Sequence, residues 1–358
     1  MEKSKLGWNE SFEEKYMLYK DKDFLVARVI CSERYKYKLL CNGEILNAEV
    51  SGRYRYKSQR HRDYPSVGDW VVVAKFIGET SGVIHGLLER ENAFTRKMPV
   101  SGGRKIRDGR IIGGTPEEQV LAANVDTVFI VMSVDGNFNI SRIERYLTLA
   151  YNCGVTPVII LNKVDVTDNI EKYISEVREV AFDVPVHAVS ATSDINMDCF
   201  NTYMLSGKTV VFFGSSGVGK STITNYLLGT EGQKTSMIST SNGKGRHTTS
   251  TSQMLFHKTG CMIIDTPGLR ELQLWCDESA VDKNFRDVVE LIEKCKYRDC
   301  KHDTEIGCAI KKALESGDLS RNRYESYLDQ YGEVNYNSKA KRMAEVQYNK
   351  FYTRLDKK

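Results

Sequence analysis

Apolar positions along this chain fall into short runs, and the character of the segments between them changes twice. From Asp23 to Phe94 the runs are strand-length and broken by turns: Phe24–Cys31, Tyr35–Cys41, Ile45–Val50, Asp69–Phe76 and Ser81–Leu88. Short strands at this spacing predict a small barrel or sandwich. A five-stranded OB-type β-barrel fits the length, with an SH3-like barrel as the alternative. The Gly- and Arg-rich stretch Thr95–Gly114 shows no periodicity and predicts a loop or linker. Then Asp126–Met132, Pro157–Leu161, Pro185–Val189, Lys208–Phe213 and Cys261–Ile264 have strand length, and Ile143–Tyr151, Ile170–Ala181 and Ser221–Leu228 between them are helix-compatible. That rhythm predicts a doubly wound α/β sheet with crossover helices. Beyond Gly268, Val281, Phe285, Val288, Val289 and Ile292 recur at helical spacing. The expected architecture is multidomain: a polar extension (1–20), a barrel (21–98), a basic linker (99–120), an α/β domain (121–275) and a helical C-terminal domain with a basic tail (276–358).

A chain of 358 residues has room for these parts. The formal net charge of +4 is small for that length, so only local clustering of basic residues argues for nucleic acid. The N-terminus is polar and unlike a secretory signal, and the apolar runs are too short to span a bilayer. A cytoplasmic protein without membrane contact is expected.

Chemistry enters with three motifs and their order. Gly214, Ser215, Ser216, Gly217, Val218, Gly219, Lys220 and Ser221 match G-x-x-x-x-G-K-[ST], entered by an apolar strand and left by a helix-compatible segment that begins with Ser221 and Thr222. Backbone N–H groups of such a loop cradle phosphates, Lys220 reaches the β- and γ-phosphates, and the Ser221 hydroxyl coordinates Mg²⁺. Asn162, Lys163, Val164 and Asp165 form N-K-x-D at the end of a strand, where a carboxylate can accept both guanine N1–H and the exocyclic amine. Ser190 and Ala191 end the next strand and suit the wall of a base pocket. Asp265, Thr266, Pro267 and Gly268 follow a third strand; Asp265 is expected to hold Mg²⁺ and the Gly268 N–H to sense the γ-phosphate. Between loop and strand, residues 243–250 have the composition of a switch segment, in which Thr248 or Thr249 supplies a hydroxyl to Mg²⁺. Leu269 stands where Ras-like enzymes carry a water-orienting Gln, and His247 is the candidate replacement, since a neutral imidazole accepts a hydrogen bond from water. In an ordinary small GTPase the phosphate loop precedes the base reader. Here it follows, so the domain is circularly permuted.

Nine cysteines are scattered, but Cys295, Cys300 and Cys308 enclose His302 within a short span. A Cys₃His set suits one closed, structural tetrahedral Zn²⁺. Arg53, Tyr54, Arg55, Tyr56 and Lys57, with Arg60, His61, Arg62 and Tyr64, have the composition of an RNA-contacting surface. Arg96, Lys97, Arg104, Lys105, Arg107 and Arg110 form a second basic stretch. Lys339, Lys341, Arg342, Lys350, Arg354, Lys357 and Lys358 form a third.

The motif order, the segment Gly245–Thr249 and the cluster of Cys295, Cys300, His302 and Cys308 together resemble the circularly permuted ribosome-small-subunit-dependent GTPases, the RsgA/YjeQ type. The resemblance covers about residues 24–327. It implies an OB-fold domain, a permuted P-loop GTPase domain and a zinc-binding domain. It also implies GTP hydrolysis to GDP stimulated by the small (30S) ribosomal subunit late in its maturation, with contact to its rRNA, and His247 as the catalytic group. A monomer is expected. The alternatives are a permuted GTPase of large-subunit assembly and an RNA-binding protein merely stabilised by nucleotide.

Overall fold

The computed structural model describes residues 2–20, 23–33, 35–58, 60–97, 105–107, 110–112, 118–235, 252–265 and 276–335. The polar N-terminal extension is helical. A 3₁₀ turn, Lys3–Leu6, leads into α1 (Glu10–Met17), whose first turn is capped by the Asn9 side chain accepting from the Phe12 N–H. Leu6 and Phe12 are its buried anchors, and Trp8 lies edge-on to Trp70 at 4.7 Å. The extension is thereby packed onto the barrel.

The barrel follows as β1 (Leu25–Glu33), β2 (Lys36–Cys41), β3 (Glu44–Val50), α2 (Gly52–Lys57), β4 (Trp70–Lys75) and β5 (Ser81–Leu87). Along β3 the period-2 alternation is visible in burial, with Leu46, Ala48 and Val50 inside and Asn47 and Glu49 outside. Asn42 and Gly43, both at positive φ, close the β2–β3 hairpin. Strand order is β1-β2-β3-β5-β4, with β4 returning to β1 and β3 parallel to β5. That closure is the OB arrangement, so the OB expectation holds and the SH3-like alternative falls.

β6 (Ala93–Lys97) pairs with β9 (Glu118–Ala123), and β7 (Lys105–Arg107) pairs with β8 (Arg110–Ile112). Part of the stretch expected to be a featureless loop is therefore paired backbone. Such short ladders carry no apolar period to read.

The α/β domain comprises β10 (Thr127–Ser133), α3 (Ile140–Asn152), β11 (Thr156–Asn162), α4 (Ile170–Arg178), β12 (Val186–Val189), β13 (Thr209–Phe213), α5 (Lys220–Thr235, broken at Gly229), β14 (Ser252–Phe256) and β15 (Met262–Asp265). Its order is β12-β11-β10-β13-β15-β14, parallel except for β14. β10 to β12 build outward one way and β13 to β15 the other, so the switch point lies between β10 and β13. Ligands of open α/β sheets bind at the carboxyl edge of such a point. β14 falls outside the apolar runs of the sequence; it continues onto β1 through Cys31↔Gln253 and Ser32↔Ser252, joining the domains.

α6 (Glu278–Asn284), α7 (Arg286–Glu293), α8 (Ala309–Ser316) and helical residues 321–335 complete the described chain. Among the described residues no helix is long and apolar enough to cross a membrane.

Candidate functional site

Three strand ends bring the motifs to one crevice. β13 delivers the phosphate loop, β11 delivers Asn162, and β15 delivers Asp265, exposed at the same edge because Ile264 lies opposite Val211. The decisive contact is between motifs distant in sequence. Asn162 is buried, and its Nδ2 donates to the Val218 carbonyl at 2.8 Å. Its Oδ1 is also buried and has no hydrogen-bond partner. Gly219 makes the approach possible, because a Cβ there would overlap Asn162 Nδ2 and its φ is +98°. Lys220 bends over the loop, its Nζ donating to the carbonyls of Gly214 at 2.8 Å and Ser215 at 2.7 Å. Ser221 and Thr222 open α5 and are exposed.

On the base side, Lys163 holds a left-handed conformation at φ +65° and starts the 3₁₀ turn Val164–Val166, which exposes Asp165. Ser190 is fully buried; its Oγ accepts from the Ser193 N–H at 3.2 Å and lies 3.1 Å from Thr192 Oγ1. Ala191, partly buried, packs against the core cluster that includes Val189, Phe200 and Val218. Thus Asn162, Lys163, Asp165, Ser190, Ala191, residues 214–222 and Asp265 lie on the strand ends and loops of one sheet. His247, Thr248, Thr249 and Gly268 lie outside the described residues.

No motif marks the loop that follows β10. Asp135 there takes Lys163 Nζ at 2.8 Å, Ser133 Oγ at 2.8 Å and the Asn137 N–H at 3.0 Å. The Lys163 and Ser133 hydrogen bonds hold its carboxyl below the ordinary range. Arg142 Nη1 donates to Ser215 Oγ at 3.2 Å. The signal available was positional: polar residues directly after the strand beside the phosphate-loop strand.

The Cys/His cluster is compact. One ligand atom from each of Cys295, Cys300, His302 and Cys308 lies within 4.8 Å of the others, and His302 Nδ1 stands 3.6 Å from Cys295 Sγ and 3.5 Å from Cys308 Sγ. Backbone amides aim at the sulfurs, Ala309 N–H at Cys295 and Lys311 N–H at Cys308, both at 3.4 Å. Burial pushes the Cys295 thiol up, yet the Ala309 and Ile310 amides and the neighbouring Cys308 and Cys300 thiols outweigh it and leave it below its ordinary value. Three sulfurs and one imidazole nitrogen this close together are the donor set of a closed divalent-metal site.

Of the basic surfaces, α2 presents Arg53, Arg55 and Lys57 to solvent, with Tyr56 88% exposed. The structure corrects one detail. Tyr54 and Tyr64 pack edge-on, and Tyr54 donates to the Asp63 carbonyl at 2.5 Å, so Tyr56 is the ring in that set left open for stacking. The C-terminal basic run and the 96–110 stretch lie outside the described side chains.

Comparison with known proteins agrees with this geometry. Residues 89–275 match the family model described as RsgA GTPase. The small ribosomal subunit biogenesis GTPase RsgA of Opitutus terrae is 39% identical over 333 residues, covering 90% of this chain and 87% of that protein. Its namesake in Methanosarcina acetivorans is 37% identical, covering 93% and 85%. Among solved structures, YjeQ from Thermotoga maritima superposes with a TM-score of 0.61 at 24% identity, over 87% of this chain and 98% of its own. YloQ, a circularly permuted GTPase, gives 0.58 at 24%, over 88% and 96%. At this identity, these two bear on the fold. With a base-side turn seated on a phosphate loop that follows it in sequence, and relatives matching nearly end to end, the chain belongs to the RsgA GTPase family.

Proposed function

We propose that this chain hydrolyses GTP to GDP and phosphate when engaged by the small ribosomal subunit, late in that particle's maturation. The observation that carries the reading is the 2.8 Å hydrogen bond from Asn162 to Val218, which supports one nucleotide crevice despite the inverted motif order. The relatives' names supply the biological setting. The barrel and the Cys/His cluster favour it over a large-subunit role, because both accompany the permuted domain here.

In this reading Asp165 reads the guanine edge, Asn162 and Lys163 shape the turn beneath it, and Ala191 lines the base while the buried Ser190 orders the turn behind it. Residues 214–222 cradle the phosphates, with Gly268 sensing the γ-phosphate. Ser221, Asp265 and Thr248 or Thr249 hold Mg²⁺, which neutralises phosphate charge. Cys295, Cys300, His302 and Cys308 hold one structural Zn²⁺. The basic face of α2 contacts rRNA. The protein acts as a cytoplasmic monomer divided as the sequence suggests. His247 orients the attacking water.

Single-turnover hydrolysis with and without purified small subunits tests the proposal. Stimulation by subunits is expected; equal rates overturn it. In the same assay Asp165→Asn should weaken GTP and improve xanthosine triphosphate, because donor and acceptor exchange at that position. Parent-like GTP binding by that variant removes Asp165 as base reader. His247→Ala should slow stimulated hydrolysis by about a hundredfold or more at nearly unchanged affinity. Undiminished stimulated turnover hands the role to another group.

A further inference from the structure

Two loops wall the crevice at the switch point, and the recognised motifs account for one of them. The other, residues 134–139, runs from β10, which ends at Ser133, to α3. Its polar groups, with Ser133 of β10 and Arg142 of α3, form an unbroken chain of contacts from the base-side turn to the phosphate loop. Lys163 Nζ donates to Asp135 Oδ2, while Ser133 Oγ and the Asn137 N–H both donate to Asp135 Oδ1. Arg142 Nη1 then donates to the Asn137 carbonyl at 3.3 Å, to Asn137 Oδ1 at 3.2 Å and to Ser215 Oγ. Asn137 Nδ2 approaches the Ser216 carbonyl at 3.5 Å.

Lys163 needs such support. A lysine at φ +65° occupies a region that side chains with a Cβ disfavour, and it stays there only when its surroundings hold it. Its backbone is held by the preceding residue, since Asn162 Nδ2 reaches Val218 and the Asn162 carbonyl accepts from the Val134 N–H at 3.1 Å. Its side chain is held by Asp135. With the ammonium engaged there, the position of the four-carbon stem is set.

We propose that Asp135 is a positioning residue for guanine-nucleotide binding, acting through Lys163 to preset the base-side turn. This rests on the assignment of the crevice to guanine nucleotide. Asp135 touches none of the proposed nucleotide contacts except Lys163, and through Asn137 and Arg142 it ties that turn to the phosphate loop. The ion pair is about one-third exposed on each side, so solvent screening keeps its effect modest.

The test is a double-mutant cycle read by titration with a fluorescent GDP. Asp135→Asn keeps the side-chain size and removes the charge, and it should weaken GDP about fivefold. On a Lys163→Met background the same substitution should change affinity by less than about twofold, because its route of action is gone. Asp135→Glu should recover part of the loss. Thermal unfolding of nucleotide-free protein should move little, since the loop is at the surface. Parent-like GDP affinity in Asp135→Asn overturns the inference, and so does a full fivefold loss on the Lys163→Met background. A parent protein that fails to bind GDP overturns the site assignment itself and this inference with it.

Discussion

Gly219 shows how tightly the nucleotide crevice is built. It combines a left-handed φ with the close approach of Asn162 Nδ2, whereas Gly217 has a left-handed φ of +84° and open space where a Cβ would stand. The pair separates backbone strain from steric overlap. In nucleotide-free protein Gly217→Ala should cost about 1 kcal/mol from backbone strain alone. Gly219→Ala should cost about 2–3 kcal/mol, because the base-side turn must also move off the phosphate loop. Urea unfolding of both variants measures the difference. Equal costs would mean that Asn162 yields freely and that the two motifs are not locked together. Arg28 makes a comparable point away from the site. It is buried in β1 and donates to Leu6 O, Asn124 O and Thr209 Oγ1, so one guanidinium joins the extension, the barrel and the phosphate-loop strand.

At the scale of elements, legibility followed hydrophobic pattern. The five barrel strands and the five parallel strands were visible as apolar runs, because each has at least one face in a core. β14 was not, since Ser252 and Gln253 begin it and only Met254 is fully buried; its partners across the ladder, and not its side chains, make it a strand. The loop after β10 escaped for another reason: its importance comes from the neighbouring strand, which sequence order conceals in a permuted domain. The Cys₃His cluster was legible because ligand spacing is local. α8 explains part of its geometry, as Cys308 is the N-cap residue and its sulfur accepts from the Lys311 N–H. Cys300→Ser should therefore lower zinc content from one per chain and destabilise the C-terminal helices, while GDP binding stays within about threefold. Elemental analysis with GDP titration checks this, and a zinc-free native protein counts against the metal assignment.

Over the whole molecule, α3 is the element that touches both the phosphate loop and the C-terminal helices. Its first turn carries Arg142 to the phosphate loop, and the next residues carry Glu144, Arg145 and Thr148 into the C-terminal helices. At that joint Arg323 is buried over the Phe285 ring at 4.1 Å and donates to Glu144 at 2.6 Å, to both Asp287 oxygens and to the Asn284 carbonyl. Burial pushes the Glu144 carboxyl up, and Ser326 and Arg323 only partly draw it back, so the buried charge depends on its partners. Removing one member of such a network costs more than the intact pair contributes, because the other charge is stranded. Arg323→Met should thus destabilise the docked C-terminal helices by about 3–5 kcal/mol, whereas Arg323→Met combined with Glu144→Gln should recover a substantial part. If the C-terminal helices relay subunit contact to the nucleotide through α3, the single variant should keep GTP affinity within about threefold and lose most subunit-stimulated hydrolysis. Hydrogen exchange across α3 and residues 321–335, run beside the stimulated turnover assay, reads both effects. Loosened helices with full stimulation would place the relay elsewhere, and the segment after Asp265 would be the remaining covalent route.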